Sequence, residues 1–530
     1  MNNMRKRLAR IFACALTGVL LSAGVTACGK KENYRSIFAT PDYAVNALAF
    51  EEMNTYEGEV RKGSDSNQGA LENGMILSPY LTCQVNGKEV DVYASRCSTG
   101  AHSFSYVDVT EERVGLDIRL TLAKTRQKVV VLPESRGVKA EMTGKTVSAR
   151  IEDTGSYSFA FDDKEDRAFT LIVRRASDFT PPEGYEVEYF EPGAYTAAQT
   201  TFTEGKKVYW FKEGSYALDS ISLPSDSILY CDYAYFSVTN ATKTSALKSN
   251  DSKNVKVLGK SVFDFTGIDQ DVDGKGTFDF SGVQGFEFEG VTSIGSCGWT
   301  FNFNRCTGGR ISNIAGFAYR TFTDGIMIAN SSDMRVSDSF MRTGDDAFEV
   351  KSTGAGASFD IVYSDCHAWN DKAVGFGVIY EMNYPVENVR FLNCSVGFNM
   401  PVWDVTRAAA SVCMCDYEKG LINKDISFEN FEVYYSLCPI ISLCLHSGTL
   451  ENITFKNFSL AHNYAEYPVY IKFNASYLGG AKPTEKRLCK VKSVYFDDVK
   501  VEGSPLSFEN IFGADLPDSL YLDGEKYQEK

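Results

Sequence analysis

Three aspartates carry the strongest chemical signal in this sequence. Thr323-Asp324-Gly325 precedes Gly344-Asp345-Asp346, with 21 residues from Asp324 to Asp345. The two segments continue alike, as Asp324-Gly-Ile-Met-Ile328 and Asp346-Ala-Phe-Glu-Val350. Setting Asp324 beside Asp346 puts Ile326 over Phe348 and Ile328 over Val350, so both apolar pairs turn inward together. Three carboxylates then crowd one small area on two successive turns of chain. Like charges at that range raise one another's pKa, and one group keeps a proton at neutral pH. A protonated acid beside an ionised base is what hydrolysis of a glycosidic bond requires. A polar turn ladder and a calcium site are the other uses of such a group.

That chemistry needs a frame that stacks successive turns. After about residue 250 a unit repeats: a turn residue, an apolar-x-apolar strand, a polar bend. Its first apolar residues are Val255, Phe286, Ile311, Met334, Ile361, Val389, Ile426, Ile453 and Val494, spaced 23 to 41 residues apart. Such an irregular period, with several strands per unit, predicts a right-handed parallel β-helix. A propeller would need longer, more even, antiparallel blades. Cys366 and Cys394 each lie five residues after their unit's first apolar residue. Ser339, Phe431, Phe458 and Val499 hold the same place, which predicts a column through rungs about 4.8 Å apart. Ahead of the repeat, short alternating runs such as Glu89–Ala94, Val114–Leu122 and Phe169–Val173 predict an antiparallel β-sandwich. The expected fold is all-β. A signal segment (1–27), a tether (28–40), a sandwich (41–182), a solenoid (183–512) and a tail (513–530) divide the chain.

The chain has 530 residues, 44% hydrophobic and 13% aromatic, with 43 Gly and 14 Pro. This excludes collagen-like and disordered classes. A net charge of -15 argues against a nucleic-acid binder. Arg5, Lys6, Arg7 and Arg10 precede an uncharged stretch, Ile11 to Ala27, in the form of a secretory signal and rather short for a spanning helix. Val25-Thr-Ala-Cys28-Gly29 resembles the lipobox of bacterial lipoproteins. The resemblance implies cleavage before Cys28, lipidation of its sulfur, and anchoring in the cell envelope by acyl chains. A plain signal peptide cut after Ala27 is the alternative. Cleavage removes four basic residues and no acidic ones, which takes the charge to -19. Twelve cysteines follow Cys14 and Cys28 without a CxxC pair or zinc spacing. Cys83 and Cys97 are expected disulfide partners, and most others small buried hydrophobes. No cofactor or metal is expected.

Over roughly residues 205–510 the sequence resembles the polygalacturonase-type β-helix hydrolases of glycoside hydrolase family 28. The likeness rests on Trp299-Thr-Phe301, Thr323-Asp-Gly325, Gly344-Asp-Asp346 and Gly375-Phe-Gly377. It implies Asp345 as general acid, Asp324 and Asp346 as holders and activators of the attacking water, and inversion at the anomeric carbon. Phe322 stands where the family has Asn, and Phe376 where it has His. The family's Arg-x-Lys, which grips a galacturonate carboxylate, has no counterpart after Cys394. Arg407 is the only basic residue between Arg390 and Lys419. The substrate is therefore expected to be a neutral or differently decorated sugar. A sandwich ahead of the solenoid is also similar to family 49, the dextranases and isopullulanases. That family shares the three-aspartate arrangement and acts on α-glucans.

Further candidates for substrate contact surround these motifs. Trp299, Tyr380 and Trp403 offer flat faces to sugar rings, although core packing is their plainer use. Asn302 and Asn304 alternate with Phe301 and Phe303, so they should face outward, as hydroxyl binders or an amide ladder. Arg320, Phe376, Glu381 and Arg407 complete the set. The expected function is inverting hydrolysis of a polysaccharide or oligosaccharide. A non-catalytic carbohydrate-binding lipoprotein and a calcium-dependent polysaccharide lyase are the alternatives.

Overall fold

A strand with period-two alternation has one apolar face to bury, and short strands of this kind bury it by stacking. The computed structural model describes residues 76–528, apart from 99, 111–112, 166–167, 177, 240–244, 269–275, 402–406, 417–420, 446–447, 474–488 and 514–518. The signal segment, Cys28, the tether and Trp403 lie outside the described residues.

A six-stranded and a five-stranded sheet form the sandwich between Ile76 and Arg175. Alternation holds in Arg113–Leu122, where Leu116, Ile118, Leu120 and Leu122 are buried between exposed neighbours. The core also takes Cys83, Val147, Phe159, Phe169 and Leu171. One pairing departs from the antiparallel expectation: Gly100–Val109 and Ala168–Arg175 run parallel. Gly100–Val109 is buried along its whole length, because its second face packs on the solenoid. A strand buried on both faces shows no alternation to read. Cys83 and Cys97 are separate buried thiols rather than a disulfide.

From Glu186 onward the chain winds as a right-handed parallel β-helix. Each full turn gives one strand to an eleven-stranded parallel sheet and two, joined by a bend, to a 23-stranded sheet. The bend needs a left-handed residue. Asn313, Asp338, Asp365, Asn393, Asn430, Asn457 and Asp498 supply it, with φ between 47° and 54°. Asn and Asp accept that conformation and can bond locally. Here they also bond along the stack: Asn430 Nδ2 donates to Asn393 Oδ1 (3.0 Å), and Asn457 Nδ2 to Asn430 Oδ1 (2.9 Å). The residues that follow them form the expected column, in which the Phe431 and Phe458 rings stack at 4.7 Å. Stacked rings fill the interior elsewhere, as in Phe391 on Phe428 at 4.5 Å and Phe455 on Phe496 at 5.3 Å.

The repeat register holds from Met334 to Val494 and slips once before it. Phe286 and Met334 both pair with Gly309, and Ile311 sits two residues further along. A Cβ at Gly309 would lie 2.4 Å from Phe286 and 2.7 Å from the Met334 sulfur. The two large neighbours fill that slot, so a glycine occupies a position where the pattern asks for an apolar side chain. In the segment expected as a tail, Leu520–Leu522 pairs in parallel with Val494–Val501 and extends the ladder by one strand.

Candidate active site

The register of the two aspartate segments is the one the sequence implies. Gly325 N–H donates to Asp346 O (2.8 Å), Ile326 pairs with Phe348, and Ile328 pairs with Val350. Two glycines permit this close stacking. A Cβ on Gly325 would lie 2.2 Å from Ala347 O, and one on Gly344 1.9 Å from Arg320 O. All three aspartates are buried. Asp345 accepts from its neighbour's N–H, Asp346 N to Oδ1 (3.0 Å), and from Phe322 N–H at Oδ2 (3.2 Å). Phe322 is left-handed (φ 60°) and presents an exposed ring. Asp346 Oδ1 accepts from Val374 N–H (2.9 Å) and from Arg407 Nη1 (3.3 Å).

A fourth carboxylate joins the group. One oxygen from each of Asp324, Asp346 and Glu349 lies within 4.8 Å of the other two. Phe348 and Val350 point inward, so Glu349 and Lys351 point outward beside the aspartates. That alternation was visible in the sequence and would have found both. Lys351 Nζ lies 3.1 Å from Glu349 and 3.5 Å from Glu381. An oxygen set this tight would admit a divalent cation. The Lys351 ammonium already supplies positive charge at that point.

Burial, then Glu349 and Asp346, holds the Asp324 carboxyl well above the usual range, against the pull of Lys351. Burial, then Asp324 and Asp346, does the same for Asp345. Burial, with Asp346 and Asp345, pushes Glu349 up to about 8 despite Lys351. Burial works against the charge on Lys351, but Glu349, Glu381, Asp324 and Asp346 outweigh it and keep the ammonium protonated. Burial and mutual repulsion thus raise Asp324, Asp345 and Glu349 together, and their titrations are linked.

The other candidates divide. Arg407 belongs to the site: it bonds Asp346, and its guanidinium lies 4.3 Å from the Tyr380 ring centre. Tyr380 is buried beneath it and has no open face for a sugar. Half-buried Trp299 lies beside the cluster, with Lys351 Nζ 6.0 Å from its ring centre. Glu381 reaches the site through Lys351. Asn302 faces outward two strands from Glu349 and donates to Asp279 (3.0 Å). Asn304 accepts from Asn330 (2.7 Å), as an amide ladder would. Besides Tyr380, two more expectations are corrected. Phe376 is fully buried, in register with Phe348 and stacked on it at 4.5 Å, so it is core and not substrate contact. Arg320 is buried and donates to the carbonyls of Gly295 (3.0 Å) and Ser296 (3.4 Å), which commits it to the preceding turn.

No protein-family model and no curated protein matches the chain. Among solved structures, Dex49A from Penicillium minioluteum superposes with a TM-score of 0.58 at 14% identity, covering 88% of this chain and 96% of that one. A hyperthermoactive exopolygalacturonase from Thermotoga maritima gives 0.38 at 15% identity, covering 61% and 85%. A polygalacturonase from Erwinia carotovora ssp. carotovora gives 0.36 at 15% identity, covering 64% and 99%. The likeness to Dex49A is one of fold, and it spans both the sandwich and the solenoid.

Proposed function

We propose that the chain is an inverting glycoside hydrolase acting on a polysaccharide or oligosaccharide. The observation that carries this reading is the buried Asp324/Asp345/Asp346 group, in which burial and mutual repulsion hold the Asp345 carboxyl well above the usual range, as a general acid needs. Asp345 gives its proton to the glycosidic oxygen as the bond to the anomeric carbon breaks. Asp324 and Asp346 hold a water on the opposite face and take its proton as its oxygen attacks. One proton leaves the acid and one reaches the base, so exchange between these neighbours resets the site. The Phe322 and Val374 N–H groups and Arg407 orient the carboxylates.

Lys351 and Arg407 are both matched to carboxylates, which leaves the site acidic and favours a neutral sugar over a uronide. This agrees with the resemblance to family 49. A lyase would need an unprotonated base, and Lys351 is held protonated. Lipidation of Cys28 would display the enzyme on a bacterial envelope membrane. The test is hydrolysis across a panel of polysaccharides that includes dextran and polygalacturonate, with NMR of the first-released anomer. Release of the inverted anomer from a neutral glycan is expected. Retention at that carbon, or an unsaturated product lost on chelation, would replace the mechanism.

A further inference from the structure

The loops that aim the aspartates are tied to the sandwich as well as to the solenoid. The N–H groups of Phe322 and Val374 reach Asp345 and Asp346 from two connections between strands, 318–325 and 371–375. Ser98 of the sandwich touches both. Its N–H donates to Asp371 Oδ2 (3.1 Å), and its hydroxyl donates to Tyr319 O (3.4 Å). The Arg96 guanidinium lies 4.1 Å from the Tyr319 ring centre.

A buried chain of bonds runs between the same two bodies. Arg342, in the strand Phe340–Thr343 that leads into Gly344-Asp345-Asp346, grips Asp371 through Nε (3.0 Å) and Nη2 (2.9 Å). Neither side chain of that pair is exposed. Arg342 Nη1 also donates to His102 Nδ1 (2.8 Å). Since Arg only donates, His102 must carry its proton on Nε2, which donates to Thr170 Oγ1 (2.7 Å). Around this chain Phe104 stacks on Phe317 at 4.3 Å, and His102 meets Trp369 edge-on at 5.5 Å. The same buried cluster joins sandwich residues Tyr93 and Tyr106 to solenoid residues Phe340 and Phe398. An interface with a buried apolar centre and buried hydrogen bonds across it behaves as one body, not as a hinged appendage.

We propose that the sandwich is a positioning element of the catalytic site. Through Arg96, Ser98 and His102 it fixes the two loops whose N–H groups aim Asp345 and Asp346. The inference rests on the hydrolase reading for its kinetic arm only. His102 touches no reacting group; it acts through Arg342 and Asp371. A small displacement of aligned groups costs on the order of 10²-fold in rate.

The experiment uses the full chain and three variants. His102→Leu removes the acceptor for Arg342, His102→Asn keeps an oxygen acceptor near Nδ1, and Arg96→Gln releases Tyr319 without touching the buried pair. Hydrogen exchange of peptides covering 319–324 and 371–376 is measured at matched distance below each melting temperature. Kinetics follow on whichever glycan the wild type cleaves. His102→Leu should speed exchange in both peptides, and Arg96→Gln in the 319–324 peptide, about tenfold or more. They should lower kcat at least tenfold with KM within about twofold, and His102→Asn should restore most of both. If His102→Leu fails to fold, Arg96→Gln decides. Unchanged exchange and unchanged kcat in a folded variant overturn the positioning role and leave the hydrolase reading standing. Faster exchange at the two loops, with no glycan cleaved by the wild type, supports the positioning role and removes the hydrolase reading.

Discussion

Glu349→Gln should make the protein more stable, and the gain should depend on pH. Glu349 is fully buried and its pKa is raised from 4.5 to about 8. Below pH 4.5 the folded and unfolded chains both carry its proton, so the group contributes no difference. Between pH 4.5 and 8 the unfolded chain releases the proton and the folded chain keeps it, so stability falls as pH rises. Above about 8 the full penalty is present. At about 1.4 kcal/mol per pKa unit the rise from 4.5 to about 8 is worth up to about 5 kcal/mol, and water entry on ionisation reduces it. Glutamine keeps the shape of the neutral acid and removes the titration. For a folded body of this size, 1 kcal/mol corresponds to roughly 1 °C in melting temperature. The variant should therefore melt with the wild type at pH 4 and up to about 5 °C above it at pH 8. Differential scanning fluorimetry over that range reads the gap. A gap that is flat with pH, or a variant that melts lower at pH 8, would refute the reasoning.

Two more outcomes follow from the geometry, and a third from the proposed lipidation of Cys28. Phe376→Ala should cost about 3–5 kcal/mol in denaturant unfolding, as removal of a buried aromatic does, with KM unchanged. Arg407→Ala should lower kcat by about 10²-fold in steady-state kinetics without a comparable loss of stability, because it leaves Asp346 misaimed. Cys28→Ser should move the protein from the detergent phase to the aqueous phase in a partition assay of expressing bacteria.

Much of the frame could be read before folding was considered. Ile326 over Phe348 follows from two similar segments and a period of two, and stacking fixes the register of everything near it. The slip at Gly309 shows where such reading fails. The side chain filling that slot comes from Phe286 and Met334 on the adjacent turns, so the local sequence has no apolar residue to show. Phe376 was misplaced by aligning a motif, when alternation with Phe348 and Val350 places it inside. The same alternation puts Glu349 and Lys351 outside, next to the aspartates. The parallel pairing of Gly100–Val109 with Ala168–Arg175 joins strands far apart in sequence, and Gly100–Val109 mixes His, Ser and Asp with apolar residues, so no pattern announces its two buried faces. The link from His102 to Arg342 spans 240 residues, and no short-range pattern announces it.

The central claim is that Asp345 is the general acid of a glycosidic hydrolysis. Turnover of Asp345→Asn tests it most directly, measured on the polysaccharide that the wild type cleaves and on an aryl glycoside of the same sugar with an activated leaving group. The variant should fold, bind the glycan, and lose at least about 10³-fold in kcat on the polysaccharide. Its loss on the activated substrate should be much smaller, because that leaving group needs no proton. Equal turnover by variant and wild type on the polysaccharide would contradict the account.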